Sequence, residues 1–163
     1  MSRIFNADEV FQMAQDMEVT GAKYYRDAAS QFSDHPRMHI LTMLARMEDE
    51  HFKQFGTIRE QVKRAVRLPE VWDPEGEAAQ YLRALSERKV FHPKEDAAQR
   101  FTGRETLQEI LARAIGMEKD SIIFYTGLKE LVPADLGRAQ VDEIIRQEMG
   151  HVTTLTRELV ELK

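Results

Sequence analysis

The feature that most constrains this chain is an internal repeat offset by one hundred residues. Ala14 matches Ala114, Met17 matches Met117, Glu18 matches Glu118 and Tyr25 matches Tyr125. Further on, Arg46 matches Arg146, Glu48 matches Glu148 and His51 matches His151. Apolar residues answer apolar residues around them: Phe11 and Leu111, Ala22 and Ile122, Leu41 and Val141, Leu44 and Ile144, Phe55 and Leu155. The chain reads as two copies of one helical hairpin related by pseudo-symmetry, so the fold class is all-α.

Helical periodicity runs through four segments. The first is predicted to open at Asn6, with Glu9 three residues on as a capping box, and to stop near Gln31. The second runs from about Pro36 to Val66, and the third from about Thr102, with Glu105 completing a box, to Leu131. The fourth is predicted from about Pro133 almost to Lys163. Short links make helices one and two, and three and four, antiparallel neighbours. The organisation is one domain over 1–163: hairpin 6–66, connection 67–101, hairpin 102–163. A helix of ~27 residues is ~40 Å long, and ~12 extended residues span that distance. The connection is longer than this, so a short helix is expected at 77–87, with Trp72 packing the segment onto the bundle.

Residues three, four and seven apart share a helix face. Glu18 falls in the apolar stripe of Phe11, Ala14, Ala22 and Tyr25, and Glu118 in that of Leu111, Ala114, Ile122 and Tyr125. Glu48 and His51 fall among Leu41, Leu44, Phe55 and Ile58; Glu148 and His151 fall among Val141, Ile144 and Leu155. Four carboxylates and two imidazoles thus point into one core. Unpaired buried charges cost several kcal/mol each, and these stripes carry few basic residues. Two divalent metals cancel four carboxylate charges, and Glu-x-x-His offers an oxygen and a nitrogen from one helix face. Carboxylate with imidazole suits iron or manganese. The remaining histidines, His35, His39 and His92, lack the spacing. A purely structural polar core explains the apolar matches but not the survival of charged ones on the inner face.

Other residues receive structural readings. Tyr25 and Tyr125 fill core and send their hydroxyls to polar partners, the ligand carboxylates being candidates. Met13, Met17, Met43, Met47, Met117 and Met149 are helix filler rather than ligands. Asp49 and Glu50 point away from the Glu48 face, and Arg46 and Arg146 lie off the ligand stripe.

Composition removes several chemistries. The sequence has no cysteine, which excludes disulfides, thiolate metal sites and thiol catalysis. A net charge of -5 argues against a nucleic-acid surface, and Lys63, Arg64 and Arg67 read as a solvated helix end. No stretch approaches the ~20 apolar residues of a membrane span, and no secretory signal is visible, so a cytoplasmic location is expected.

The paired Glu and Glu-x-x-His pattern resembles the ferritin-like superfamily, and the helix pattern looks like its rubrerythrin branch. The resemblance covers both hairpins. It implies a ferritin-like antiparallel four-helix bundle in which Glu48 and Glu148 bridge two irons. Glu18 and His51 would complete one iron, Glu118 and His151 the other. It further implies peroxide or O2 reduction, and a homodimer or larger assembly. Two positions depart from the pattern. Rubrerythrins carry a further Glu three residues after the third-helix ligand, where this chain has Ser121, matched by Gly21 on the first helix. The usual four-Cys rubredoxin module has no counterpart here, so electrons would come from a rubredoxin-like protein or a small reductant. Iron oxidation for storage or delivery, di-manganese catalase chemistry and a metal-free structural bundle are the alternatives.

Overall fold

The four periodic segments fold as four helices: α1 (Ala7–Ala29), α2 (His35–Ala65), α3 (Leu107–Leu131) and α4 (Arg138–Glu161). The structure is a computed structural model, and it describes residues 7–33, 35–65, 77, 80–81 and 104–162. No strand occurs among the described residues. Asn6, Trp72 and most of the 77–87 segment lie outside them. Tyr81, which is described, sends its hydroxyl to the Ile123 carbonyl at 3.3 Å.

The starts of α3 and α4 differ from the sequence reading. Residues 104–106 are not helical, and the working capping box is Thr106 with Glu109 rather than Thr102 with Glu105. The Thr106 hydroxyl accepts from the Glu109 N–H at 3.2 Å, and the Glu109 carboxylate accepts from the Thr106 N–H at 2.7 Å. The apolar stripe begins at Leu107, so the second of two consecutive Thr-x-x-Glu motifs is the one that caps it. Helix α4 starts five residues after Pro133, because residues 134–137 form a turn that ends on Gly137. Gly137 has φ 120°, a conformation that favours glycine. A Cβ there would lie 2.7 Å from the Ile58 side chain, so the close approach of α2 also excludes one. The Arg138 guanidinium donates to the Val132 carbonyl at 2.8 Å and closes the link.

Each helix packs on two others: α1 on α2 and α3, and α4 on α3 and α2, which puts α1/α4 and α2/α3 on the diagonals. Every neighbouring pair is antiparallel. Along α1 and α2, Asp8 meets Arg59, Gln15 meets the Phe52 carbonyl, and Arg26 meets Asp49. Along α3 and α4, Lys129 meets Asp142 and Glu118 meets His151. Tyr25 and Glu118, with Tyr125 and Glu18, cross between α1 and α3; Glu48 and His151, with His51 and Glu148, cross between α2 and α4. The diagonal helices α2 and α3 therefore run parallel. The end of α2 and the start of α3 lie at opposite ends of the bundle, which is why the chain between them is long.

The core divides into two apolar clusters. One is built around Phe11, Phe55, Phe124, Leu128 and Ile144, the other around Leu41, Leu44, Ile110, Leu111 and Leu155. Burying each such side chain contributes roughly 1.5–3 kcal/mol. Glu18, Glu48, His51, Glu118, Glu148 and His151 are all buried as well, in the layer between the clusters.

Candidate metal centre

The helix periods that align the apolar stripes carry the six polar side chains to one level. Glu18 and Glu118 come from α1 and α3. The two Glu-x-x-His pairs come from α2 and α4, each spanning one turn. The structure brings all six together in two overlapping groups: Glu18, Glu48, His51 and Glu148, and Glu48, Glu118, Glu148 and His151. Within each group the potential ligand atoms lie within 4.8 Å of one another. Glu48 and Glu148 belong to both groups.

Both imidazoles turn Nδ1 toward the carboxylates. His51 Nδ1 is 3.2 Å from Glu148 and 3.5 Å from Glu18. His151 Nδ1 is 2.8 Å from Glu148, 3.3 Å from Glu118 and 3.4 Å from Glu48. The rings stack with centroids 5.7 Å apart and planes inclined by 20°. Behind His51, Nε2 faces the Gln147 side-chain oxygen at 2.8 Å. Tyr25 donates its hydroxyl to Glu118, and Tyr125 donates to Glu18, so each tyrosine serves the carboxylate of the opposite repeat.

The electrostatics are those of crowded acids in a dry core. Burial and the nearby Glu48 carboxylate push the Glu18 carboxyl well above its usual range. Burial does the same for Glu118, helped by Glu48 and Glu148 and opposed by the His151 hydrogen bond. Burial also works to raise Glu148, but the close His151 and His51 imidazoles outweigh it and bring that group down to about 2. For the imidazoles burial works downward. Glu148 and Glu18 overcome it and raise His51 to about 11; Glu118, Glu148 and Glu48 raise His151 to about 12. Burial and neighbouring carboxylates push both Tyr25 and Tyr125 up, so their hydroxyls stay protonated donors.

Hydrogen bonding does not satisfy this cluster. Among the described residues, Glu18 Oε2, Glu48 Oε1, His51 Nδ1, both Glu148 oxygens and His151 Nε2 are buried without a hydrogen-bond partner. Native proteins leave few such atoms. Five of these six atoms lie on the inner side of the cluster, and an oxygen and nitrogen donor set without sulfur fits a pair of divalent cations.

Two residues that matter here were not singled out as ligand supports by sequence. Gln147 fails the hundred-residue match, because its counterpart is Met47. Gly21 is visible only as the partner of Ser121, yet a Cβ at Gly21 would lie 3.0 Å from Glu48 Oε2. The remaining charged candidates are peripheral. Asp49 pairs with Arg26, Glu50 with Lys53 and Arg146 with Glu143.

Fold and buried cluster together define a ferritin-like, all-α four-helix bundle with a carboxylate and histidine cluster at its centre. The chain matches the crystal structure of a Thermotoga maritima protein described as a candidate ferritin-like diiron-carboxylate protein, with a TM-score of 0.71, 22% identity and 100% of each chain covered. No protein-family model and no curated protein matches the sequence. No described helix is long and apolar enough to cross a membrane.

Proposed function

We propose that this chain is a non-haem di-iron protein of rubrerythrin type, reducing peroxide or O2 with electrons from an external donor. The observation that carries the reading is the membership of Glu48 and Glu148 in both ligand groups. Two carboxylates common to two adjacent positions are what a bridged pair of ions requires. Glu18 and His51 complete one position in this reading, and Glu118 and His151 the other.

Two ferrous ions bound there would supply two electrons at once, enough with two protons to convert hydrogen peroxide to two water molecules. The chain's own residues do the rest. The carboxylates and imidazoles would hold the ions. Tyr25 and Tyr125 fix Glu118 and Glu18 through their hydroxyl protons. The apolar clusters on either side keep bulk water out. A sequence without cysteine carries no rubredoxin centre of its own, so we assign the electron supply to a separate rubredoxin-like protein or small reductant. We further propose a cytoplasmic homodimer or larger homo-oligomer.

The test is anaerobic loading with ferrous iron, elemental analysis, then peroxide with and without a reductant. About two irons per chain and repeated turnover with the reductant are expected. A single stoichiometric oxidation with growth of a mineral core would overturn the reading in favour of iron storage. Release of O2 from peroxide by a manganese-loaded protein, without reductant, would favour a di-manganese catalase.

A further inference from the structure

The two halves of the centre are not equivalent behind their histidines. His51 Nε2 faces the Gln147 oxygen at 2.8 Å, whereas His151 Nε2 is buried with no partner among the described residues. The difference is written in the repeat. Gln147 corresponds to Met47, and Glu143, which accepts from the Gln147 amide nitrogen at 3.4 Å, corresponds to Met43. A carboxylate only accepts, so Glu143 turns the amide nitrogen toward itself and leaves the oxygen for His51. A methionine pair provides neither step.

Resting on the di-metal reading above, we propose that Gln147 is a positioning residue that makes the Glu18/His51 position the tighter of two unequal metal sites, filled first. An acceptor on Nε2–H has two effects on a ligating imidazole. It fixes the ring so that the Nδ1 lone pair keeps facing the ion, and it draws the Nε2 proton outward, making Nδ1 the better donor. His51 has both effects; nothing among the described residues gives His151 either. Loss of such a partner weakens metal affinity by roughly 10–100-fold, so a gap of that size separates the two sites.

The experiment is an anaerobic titration of the metal-free full chain with Mn(II), the free ion being counted by electron paramagnetic resonance. The wild-type chain takes up two ions in two steps separated by roughly 10–100-fold in affinity. Gln147→Met weakens the first step by that factor and leaves the second in place. Gln147→Glu, which keeps an acceptor oxygen, retains the tight step; a merely structural role for the side chain would not distinguish these two variants. Met43→Glu with Met47→Gln rebuilds the relay behind His151 and tightens the second step. Two equal steps in the wild type, or unchanged steps in Gln147→Met, would overturn the inference while leaving the two-metal reading intact. A chain that takes up neither Mn(II) nor Fe(II) overturns both.

Discussion

Tyr125 on α3 donates its buried hydroxyl to Glu18 on α1, so the aromatic residue of one repeat holds the acid of the other. Tyr25 and Glu118 form the mirror pair. Replacing Tyr125 with Phe keeps the ring, which packs 4.7 Å from Phe55 between centroids, and removes only the donor. Leaving a buried acceptor unpaired costs about 1–3 kcal/mol. Urea unfolding of metal-free Tyr125→Phe is expected to show a loss in that range, with a similar loss for Tyr25→Phe. A loss confined to one of the two would contradict the crossed arrangement.

Gly21 separates stability from metal binding. Alanine is favoured over glycine inside a helix by about 0.8–1.0 kcal/mol, so Gly21→Ala should leave thermal stability unchanged or raise it. The new Cβ would lie 3.0 Å from Glu48 Oε2, and the carboxylate must give way. Since Glu48 lies in both ligand groups, affinity for both ions is expected to fall, by about 10-fold. Calorimetric metal titration beside a melting curve reads the two effects separately.

Much of this was legible in sequence because the repeat and the helical period report on the same thing. A position that is apolar in both halves at the spacing of a helix face is core, and Phe11, Leu44, Phe55 and Leu111 are buried accordingly. Glu18, Glu48, His51 and their counterparts stood out as charged residues on those faces. The helix starts were harder, because capping is a local competition. Thr102-x-x-Glu105 and Thr106-x-x-Glu109 are alike in sequence, and only the position of the first buried turn decides between them. Gly137 was hidden for another reason: its requirement combines a backbone angle with the approach of Ile58 from a different hairpin. Gln147 was invisible to a symmetry argument because it breaks the symmetry.

The Gly137 requirement has its own test. An alanine there meets Ile58 at 2.7 Å and must also adopt φ near 120°. Backbone strain of this kind costs about 1–3 kcal/mol, and overpacking adds about 1–3 kcal/mol. Gly137→Ala is therefore expected to lose about 2–6 kcal/mol in urea unfolding. The double variant Gly137→Ala/Ile58→Ala removes the γ carbons at 2.7 and 3.1 Å and leaves the Ile58 Cβ at 3.4 Å, so it should relieve the clash and recover none of the strain.

Acid sensitivity is expected at the open end of the first hairpin. Asp8 receives two hydrogen bonds from the Arg59 guanidinium and an ion pair from Lys63. The Arg59 bonds, with Lys63 adding to them against a smaller effect of burial, hold the Asp8 carboxyl well below its ordinary value of 3.8. A depressed acid stabilises the fold above that ordinary value and loses its contribution as pH falls below it. Asp8 is about two-fifths exposed, its side chain being 40% accessible, so solvent screening limits the effect. The cost of Asp8→Asn at pH 7 is expected to stay within about 1 kcal/mol. The two proteins should converge in stability as pH drops below about 4. Unfolding curves from pH 7 to pH 2 check the sign; a difference that grows in acid would contradict it.

Removing metal and removing a carboxylate shared by both ligand groups are each expected to destabilise the fold, by different routes. Ions that bind only the folded chain raise its stability by about 2.7 kcal/mol at one hundred times their dissociation constant. For a bundle of this size about 1 kcal/mol corresponds to roughly 2–4 °C, so chelation should lower the melting temperature by several degrees. Glu148→Ala deletes a ligand shared by both groups, and its melting temperature should no longer respond to metal or chelator. In the metal-free state Glu148 stands against two raised imidazoles, 3.2 Å from His51 Nδ1 and 2.8 Å from His151 Nδ1. Its removal takes the nearest carboxylate from both imidazoles, and a loss of about 3–5 kcal/mol is expected. Glu18 and Glu118 differ, because burial and their neighbours already oppose ionisation there. Glu18→Gln should cost the metal-free fold less than Glu148→Ala while still abolishing one ion's uptake. A metal-independent melting temperature in the wild-type chain would overturn the two-ion reading, whatever the variants do.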